Sequence, residues 1–264
     1  MGLLLARLFK KAEHRILICS RDENRARRSA AKISAEVGKA TDLAEASIVI
    51  VAVPIEQTVE ACRDALPHMR RNSLLVDISS VKTGVVDRVR ELLPAGIEYL
   101  SLHPLFGPSL REMKGQNIIA IRAKPGPLSQ RMIKALQAMG FRVTVSSIEE
   151  HDKAMAAMQV MHHYAYLVMA LELEKAIRTD QRMVNFLTRS LRKTVNQLRS
   201  FRKINKTLLA IQNLNPYAPR ARQAYARRAF EMMDLKPEAV SRIAASMRGL
   251  ERLTKLKDSR QMQS

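Results

Sequence analysis

The stretch SLLVDISSVKTGVVDRVRELLPAGIEYLSLHPLFGP, residues 73–108, decides the fold. It opens on an apolar run, 73–81, that reads as a strand buried on both faces. "KTGVVDRVRELLP" then repeats its apolar residues at helical spacing and stops at a proline. "IEYLSLHP", 97–104, is strand-like again. Strands separated by helices of this length are βαβ units, and βαβ units make a mainly parallel sheet.

The alternation extends in both directions. Upstream, residues 3–12 read as a helix, "RILICS" (15–20) as a buried strand, and "NRARRSAAKISAEVG" as an amphipathic helix ending at Gly38. "SIVIVAV" (47–53) is a further strand, closed by Pro54, and "IEQTVEACRDALPHM" is helical. Downstream come the strands "QNIIAIRA" (116–123) and "FRVTVSS" (141–147), with a helix at 128–140 between them. From about residue 149 strand-like runs cease, and helical periodicity continues with a break at "NLNPYAP" (213–219). The expected organisation is a doubly wound, Rossmann-like α/β domain over 1–148 and an all-α helical domain over 149–264.

A doubly wound dinucleotide fold begins with a strand, a glycine loop and a helix whose N-terminus holds a pyrophosphate. This chain opens at the helix, and Gly2 is placed as the last glycine of such a loop. In the strand order 3-2-1-4-5-6 the absent first strand is central, so two half-sheets with facing edges are expected. Either the true start lies upstream, the favoured reading because the remaining pattern is intact, or the chain has lost cofactor binding.

Composition narrows the function classes. The 264 residues are 47% hydrophobic, enough for a real core, and no run approaches the roughly 18 apolar residues that span a bilayer. Cys19 and Cys62 are too few for a disulfide framework and fit a reducing cytoplasm. No His/Asp/Glu cluster has metal-ligand spacing, so no metal site is assigned. The formal net charge of +20 invites a nucleic-acid reading, but there is no Trp and aromatics are only 4%, so base stacking is poorly supplied. A basic surface suited to an anionic substrate is preferred.

Three segments carry chemistry: "DISSVK" (77–82) and "HPLFGP" (103–108) at strand ends, and "EEHDKAMAAMQVMHHYAY" (149–166) at the start of the helical part. In an open parallel sheet, strand ends are where ligands sit. Together the segments resemble the prephenate dehydrogenase family of tyrosine biosynthesis, and "NPYAP" (215–219) resembles a segment of its archaeal-type members. The resemblance covers most of 2–220 and weakens through 180–205. It implies oxidative decarboxylation of prephenate to 4-hydroxyphenylpyruvate with NAD or NADP. Arogenate, another NADP-linked substrate, or a non-catalytic remnant are the alternatives.

The residues agree with that implication. Oxidising a ring hydroxyl requires a proton acceptor with a pKa near working pH, and histidine is the natural choice. His103 occupies that place, although a lone His before Pro can also be a strand-terminal cap. Ser80 is assigned a hydrogen bond to the same hydroxyl or to the histidine, and Lys82 a fixed charge nearby. Asp152, Met155, Gln159 and His163 recur at helical spacing and share one face. The resemblance places His163 at the substrate; Gln159 joins it or is a satisfied core amide, and Asp152 reads as a helix N-terminal acid. His162 points roughly 100° away, toward packing or solvent.

The substrate carboxylates call for arginine, and the resemblance takes it from the helical domain. Arg199 is chosen within "TRSLRKTVNQLRSFRK" (188–203), with Arg192 second, against a plain solvated basic face. For the cofactor, Gly2, Ser20, Arg21, Pro54 and Ser79 lie at the helix start and strand ends. Arg21 can pair with a 2′-phosphate, which favours NADP, or be a surface arginine. The resemblance further implies a homodimer through the helical part, whose run "YAYLVMALELEKAI" (164–177) is rich in apolar residues.

Overall fold

The computed structural model describes residues 1–108, 112–201, 205–234 and 237–259. Among them run seven strands: β1 (Leu17–Ile18), β2 (Glu36–Val37), β3 (Ile48–Val51), β4 (Ser73–Asp77), β5 (Ile97–Pro104), β6 (Asn117–Lys124) and β7 (Arg142–Val145). The helices that alternate with them are α1 (Gly2–Lys11), α2 (Glu23–Ala31), α3 (Thr58–Ala65), α4 (Val86–Leu92) and α5 (Pro127–Ala138). Then come α6 (Ile148–Met155), α7 (Met161–Thr179), α8 (Arg189–Phe201), α9 (Asn205–Leu214), α10 (Ala218–Glu231) and α11 (Pro237–Ser259).

The strands form two sheets. β1 pairs with β2 in a small parallel sheet, and β3-β4-β5-β6-β7 form a five-stranded sheet. Within the latter, β3, β4 and β5 are parallel, β6 is antiparallel to β5, and β7 is parallel to β6. The carboxyl ends of β3, β4 and β5 therefore share one rim. β4 is buried along its whole length and β5 nearly so, as befits strands covered on both faces.

The core explains why α1 lies where it does. Leu5, Leu8 and Phe9 of α1 join Leu74 and Val76 of β4, Leu100 and Leu102 of β5, and Met132 and Leu136 of α5 in one cluster. Gly2 permits a close approach: a Cβ there would lie 2.7 Å from the Cβ of Ala52, just past β3. At the start of α5, Glu98 of β5 accepts from the N–H groups of Leu128 and Ser129, satisfying two donors of the first turn.

Two expectations are corrected. The helix expected to run to Gly38 stops at Ala31. Ser34 adopts a φ of 51°, which breaks the helix, and Glu36–Val37 then form β2, hidden in the sequence by its two-residue length. The chain also divides differently from the change of pattern near residue 148. Its two compact units are Met1–Ala218 and Pro219–Ser264, so α6 to α9 belong with the sheet. Side-chain amides help tie them there: Asn215 donates to the carbonyl of Asp152, and Gln212 to that of Val160.

Candidate active site

β5 is the central strand of the five, and His103 is its penultimate residue, at the rim shared with β3 and β4. His103 is only 2% exposed. Burial, helped by the nearby Lys82 charge and by His151, pushes its imidazole well below the ordinary histidine value, against the opposing pull of Asp152. The ring is therefore neutral at physiological pH and offers a lone pair, while its pKa lies below the match to working pH expected from the sequence.

Beneath His103 lies a fully buried ionic network. The Lys82 ammonium donates to the hydroxyl of Ser101 (2.7 Å) and the carbonyl of Leu102 (2.8 Å), and sits 3.7 Å from an Asp77 oxygen. Asp77 accepts from the Ser79 N–H (2.8 Å), the Ser79 hydroxyl (2.5 Å) and the Tyr99 hydroxyl (2.7 Å). Burial raises the Asp77 carboxyl, but Lys82 and the donors around it hold it below the ordinary value. Lys82 thus braces the backbone leading into His103 from below and has no exposed surface. Ser79, expected at the cofactor, instead turns inward onto Asp77 and the carbonyl of Val81. Ser80, next to it, is half-buried.

On its other side His103 meets α6. Its Nδ1 lies 2.9 Å from Nε2 of His151, and Nδ1 of His151 lies 2.7 Å from an Asp152 oxygen. The Asp152 carboxylate also accepts from the N–H groups of Lys82 (3.1 Å) and Thr83 (2.7 Å). Asp152 is therefore not a helix-dipole acid: α6 is capped by Ser147 and Glu150, and Asp152 caps a different loop. Burial works against its charge, but the His151 and backbone donors hold its pKa below the ordinary value. Sequence reasoning quoted His151 without giving it a role. The available signal was the His-Asp pair opening a helix, and the contact with His103 across 48 residues supplied the rest.

Past Met155 the helix widens into a π turn, Ala156–Val160, before α7. Such turns are frequent at functional sites. The buried face still runs through Asp152, Met155 and His163, with Gln159 half-buried. Two buried polar atoms on this run have no partner among the described residues: Oε1 of Gln159 and Nδ1 of His163. Burial lowers the His163 pKa to about 4, with a smaller push from His162. His162 itself is exposed and packs on Tyr166, 4.9 Å between ring centroids.

The remaining candidates lie apart from this cluster. Arg199 is exposed on α8 and donates to Asn196 of its own helix at 3.5 Å, and Arg192 is also exposed. The end of α8 does approach the site, since Phe201 packs edge-on against His163 at 5.3 Å. Residues 202–203 of the proposed arginine segment fall outside the described residues. Ser20, Arg21 and Pro54 are exposed past the ends of β1 and β3, and Arg21 reaches Gln57 at 3.4 Å.

Gly2 starts α1 packed against Ala52, and the exposed Ser20 and Arg21 follow β1 of the two-stranded sheet.

Comparison with known proteins gives concordant matches. Residues 5–117 match the family described as prephenate dehydrogenase, nucleotide-binding domain. A 4-amino-4-deoxyprephenate dehydrogenase of Streptomyces pristinaespiralis is 31% identical over 186 residues, 70% of this chain and 62% of its own length. The T-protein of Haemophilus influenzae is 29% identical over 133 residues, half of this chain and 35% of its own. The chain thus spans less than two thirds of the curated relatives it matches. A crystal structure of prephenate dehydrogenase from A. aeolicus, in complex with hydroxyphenyl propionate and NAD+, superposes with a TM-score of 0.66 at 15% identity. That match covers 100% of this chain and 95% of the other, and shows a shared fold.

Proposed function

We propose that this chain, whose residues 5–117 match the prephenate dehydrogenase nucleotide-binding family, belongs to that family and converts prephenate to 4-hydroxyphenylpyruvate with NAD+ or NADP+. The observation that carries this reading is the pairing of a buried, neutral His103 with two unpartnered buried atoms, on Gln159 and His163. A buried polar atom without a partner costs about 1–3 kcal/mol, so the pair points to a ligand that completes them.

His103 accepts the hydroxyl proton, and Ser80 orients that hydroxyl. Neutral His163 and Gln159 hydrogen-bond the ring substituents. Arg199, two residues before the Phe201 that touches His163, is assigned to a substrate carboxylate, with Arg192 as the alternative. Gly2, Ser20, Arg21 and Pro54 would hold the dinucleotide; when bound, it supplies the hydride acceptor. Lys82 and Ser79 act from below, by fixing the strand ends, rather than by touching substrate. Loss of the ring carboxylate aromatises the product and drives the reaction forward.

The test is turnover of prephenate, with arogenate beside it, followed by reduced cofactor and by product. Arogenate, which differs by an amine in place of a ketone, fits the same groups. A second reading, a protein that keeps the fold without cofactor binding, is favoured by the separation of the β1–β2 sheet from the five-stranded sheet. Calorimetric titration separates the two: micromolar binding of NAD+ or NADP+ supports the enzyme, and none supports the remnant.

A homodimer is part of the same proposal. Phe230 of α10 and Met247 and Leu250 of α11 are 74%, 66% and 65% exposed, an unusual outlay of apolar surface that a second copy would cover. The two free cysteines support a reducing cytoplasm as its location. Among the described residues no helix is long and apolar enough to cross a membrane.

A further inference from the structure

Two side chains bonded in series behind His103 have no part in the reaction as written above. Asp152 is anchored by two backbone N–H groups, those of Lys82 and Thr83, so the position of its carboxylate is set by the β4–α4 loop. His151 is 1% exposed and bridges Asp152 to His103. We infer that Asp152 and His151 are positioning residues that hold His103 in the tautomer with Nδ1 protonated and Nε2 bare.

The bond directions follow from the donor inventory. An ionised carboxylate only accepts, so Nδ1 of His151 carries a hydrogen. In a neutral imidazole the other nitrogen is then a bare acceptor. The 2.9 Å contact between Nε2 of His151 and Nδ1 of His103 needs one hydrogen, and it sits on His103. Nε2 of His103 is left with its lone pair, and no described residue is bonded to it.

This inference rests on the proposed reaction for its consequence. As the substrate O–H bond breaks, an Nε2–H bond forms on His103. The carbon bearing that oxygen would give up its hydrogen as hydride to a bound nicotinamide, leaving a carbonyl. The resulting imidazolium keeps its Nδ1–H on His151, whose other nitrogen donates to the Asp152 charge. A further proton on the chain before reaction reverses the His103–His151 bond and places hydrogen on Nε2 of His103, which shuts the base. The charged groups facing the pair are Lys82 from the loop after β4 and Asp152 from α6.

The tautomer can be read without activity. In the full chain carrying [15N]histidine, with His103 assigned by the loss of its signals in His103→Asn, His103 should show a protonated Nδ1 and a bare Nε2. His151→Leu should move the hydrogen toward Nε2. The inference is overturned if wild-type His103 is protonated at Nε2. In kinetics, His151→Leu and Asp152→Asn should lower kcat by about 10- to 100-fold with KM for prephenate nearly unchanged. His151→Gln, whose side-chain oxygen can accept from Nδ1 of His103, should recover most of the loss. A merely structural role predicts no such recovery and no tautomer change, and either absence contradicts the inference. A chain with the expected tautomer and no turnover overturns the proposed reaction and leaves the positioning intact.

Discussion

At the scale of single residues, the site separates groups that do chemistry from groups that hold them. His103 lies at the end of β5 and Lys82 in the loop after the neighbouring β4, yet substitution should affect them differently. His103→Asn should cut kcat by about 10²- to 10⁴-fold, the usual span for a lost general base, while prephenate still binds. Steady-state kinetics beside equilibrium binding checks the split. Lys82→Met should instead destabilise the fold by about 3–5 kcal/mol, because it leaves Asp77 buried without its counter-charge. Denaturant unfolding reads that directly. The sequence made His103 legible because a histidine before "PLFGP" has few bland explanations. It could not reveal that Lys82 and Ser79 face inward, since the inward or outward choice at a strand end depends on the Asp77, Tyr99 and Ser101 groups waiting there. His151 was illegible for the same reason: its meaning lies in a contact with a residue 48 positions away.

At the scale of elements, long periodic segments were readable and short ones were not. β5 occupies the stretch 97–104 expected of it, because eight residues bounded by Gly96 and the "FGP" loop leave little choice. β2, two residues long, carries no periodicity at all. The π turn at Ala156–Val160 was likewise invisible, as its composition suits an ordinary helix. It is held from outside by Gln212, so Gln212→Leu should remove that bond to the Val160 carbonyl and cost about 0.5–1.5 kcal/mol in denaturant unfolding. At the other end of the sheet, Gly126→Ala would place a Cβ among the Glu98 carboxylate atoms. It should lower stability by about 1 kcal/mol by displacing the carboxylate that caps α5, again measurable by unfolding. His163 adds a pH dependence. The unfolded chain takes up a proton near pH 6.5, whereas folded His163 stays neutral down to about 4. The unfolded state thus binds more protons in that window, so stability should fall as pH drops from 6.5 to 4. Unfolding curves of His163→Gln should show a shallower fall.

For the molecule as a whole, a +20 charge set against only 4% aromatic residues favours a small anion over a base-stacked polyanion, and the basic candidates Arg21, Arg192 and Arg199 stand exposed at the surface. The division of the strands into two sheets was also legible, because strand order in a doubly wound sheet is fixed by topology. The division at residue 218 was not, since which helices pack on a sheet is decided by tertiary contacts such as those of Gln212 and Asn215. If the exposed apolar residues of α10 and α11 meet a second copy, Phe230→Glu with Leu250→Glu should convert a dimer to a monomer in sedimentation equilibrium. The central claim is that a neutral His103 takes the hydroxyl proton of prephenate in a cofactor-dependent oxidation. The most direct measurement is the rate of cofactor reduction by the purified chain with prephenate, for wild type and His103→Asn in parallel. The account predicts turnover in the first and a loss of at least about 100-fold in the second; equal rates in the two would contradict it.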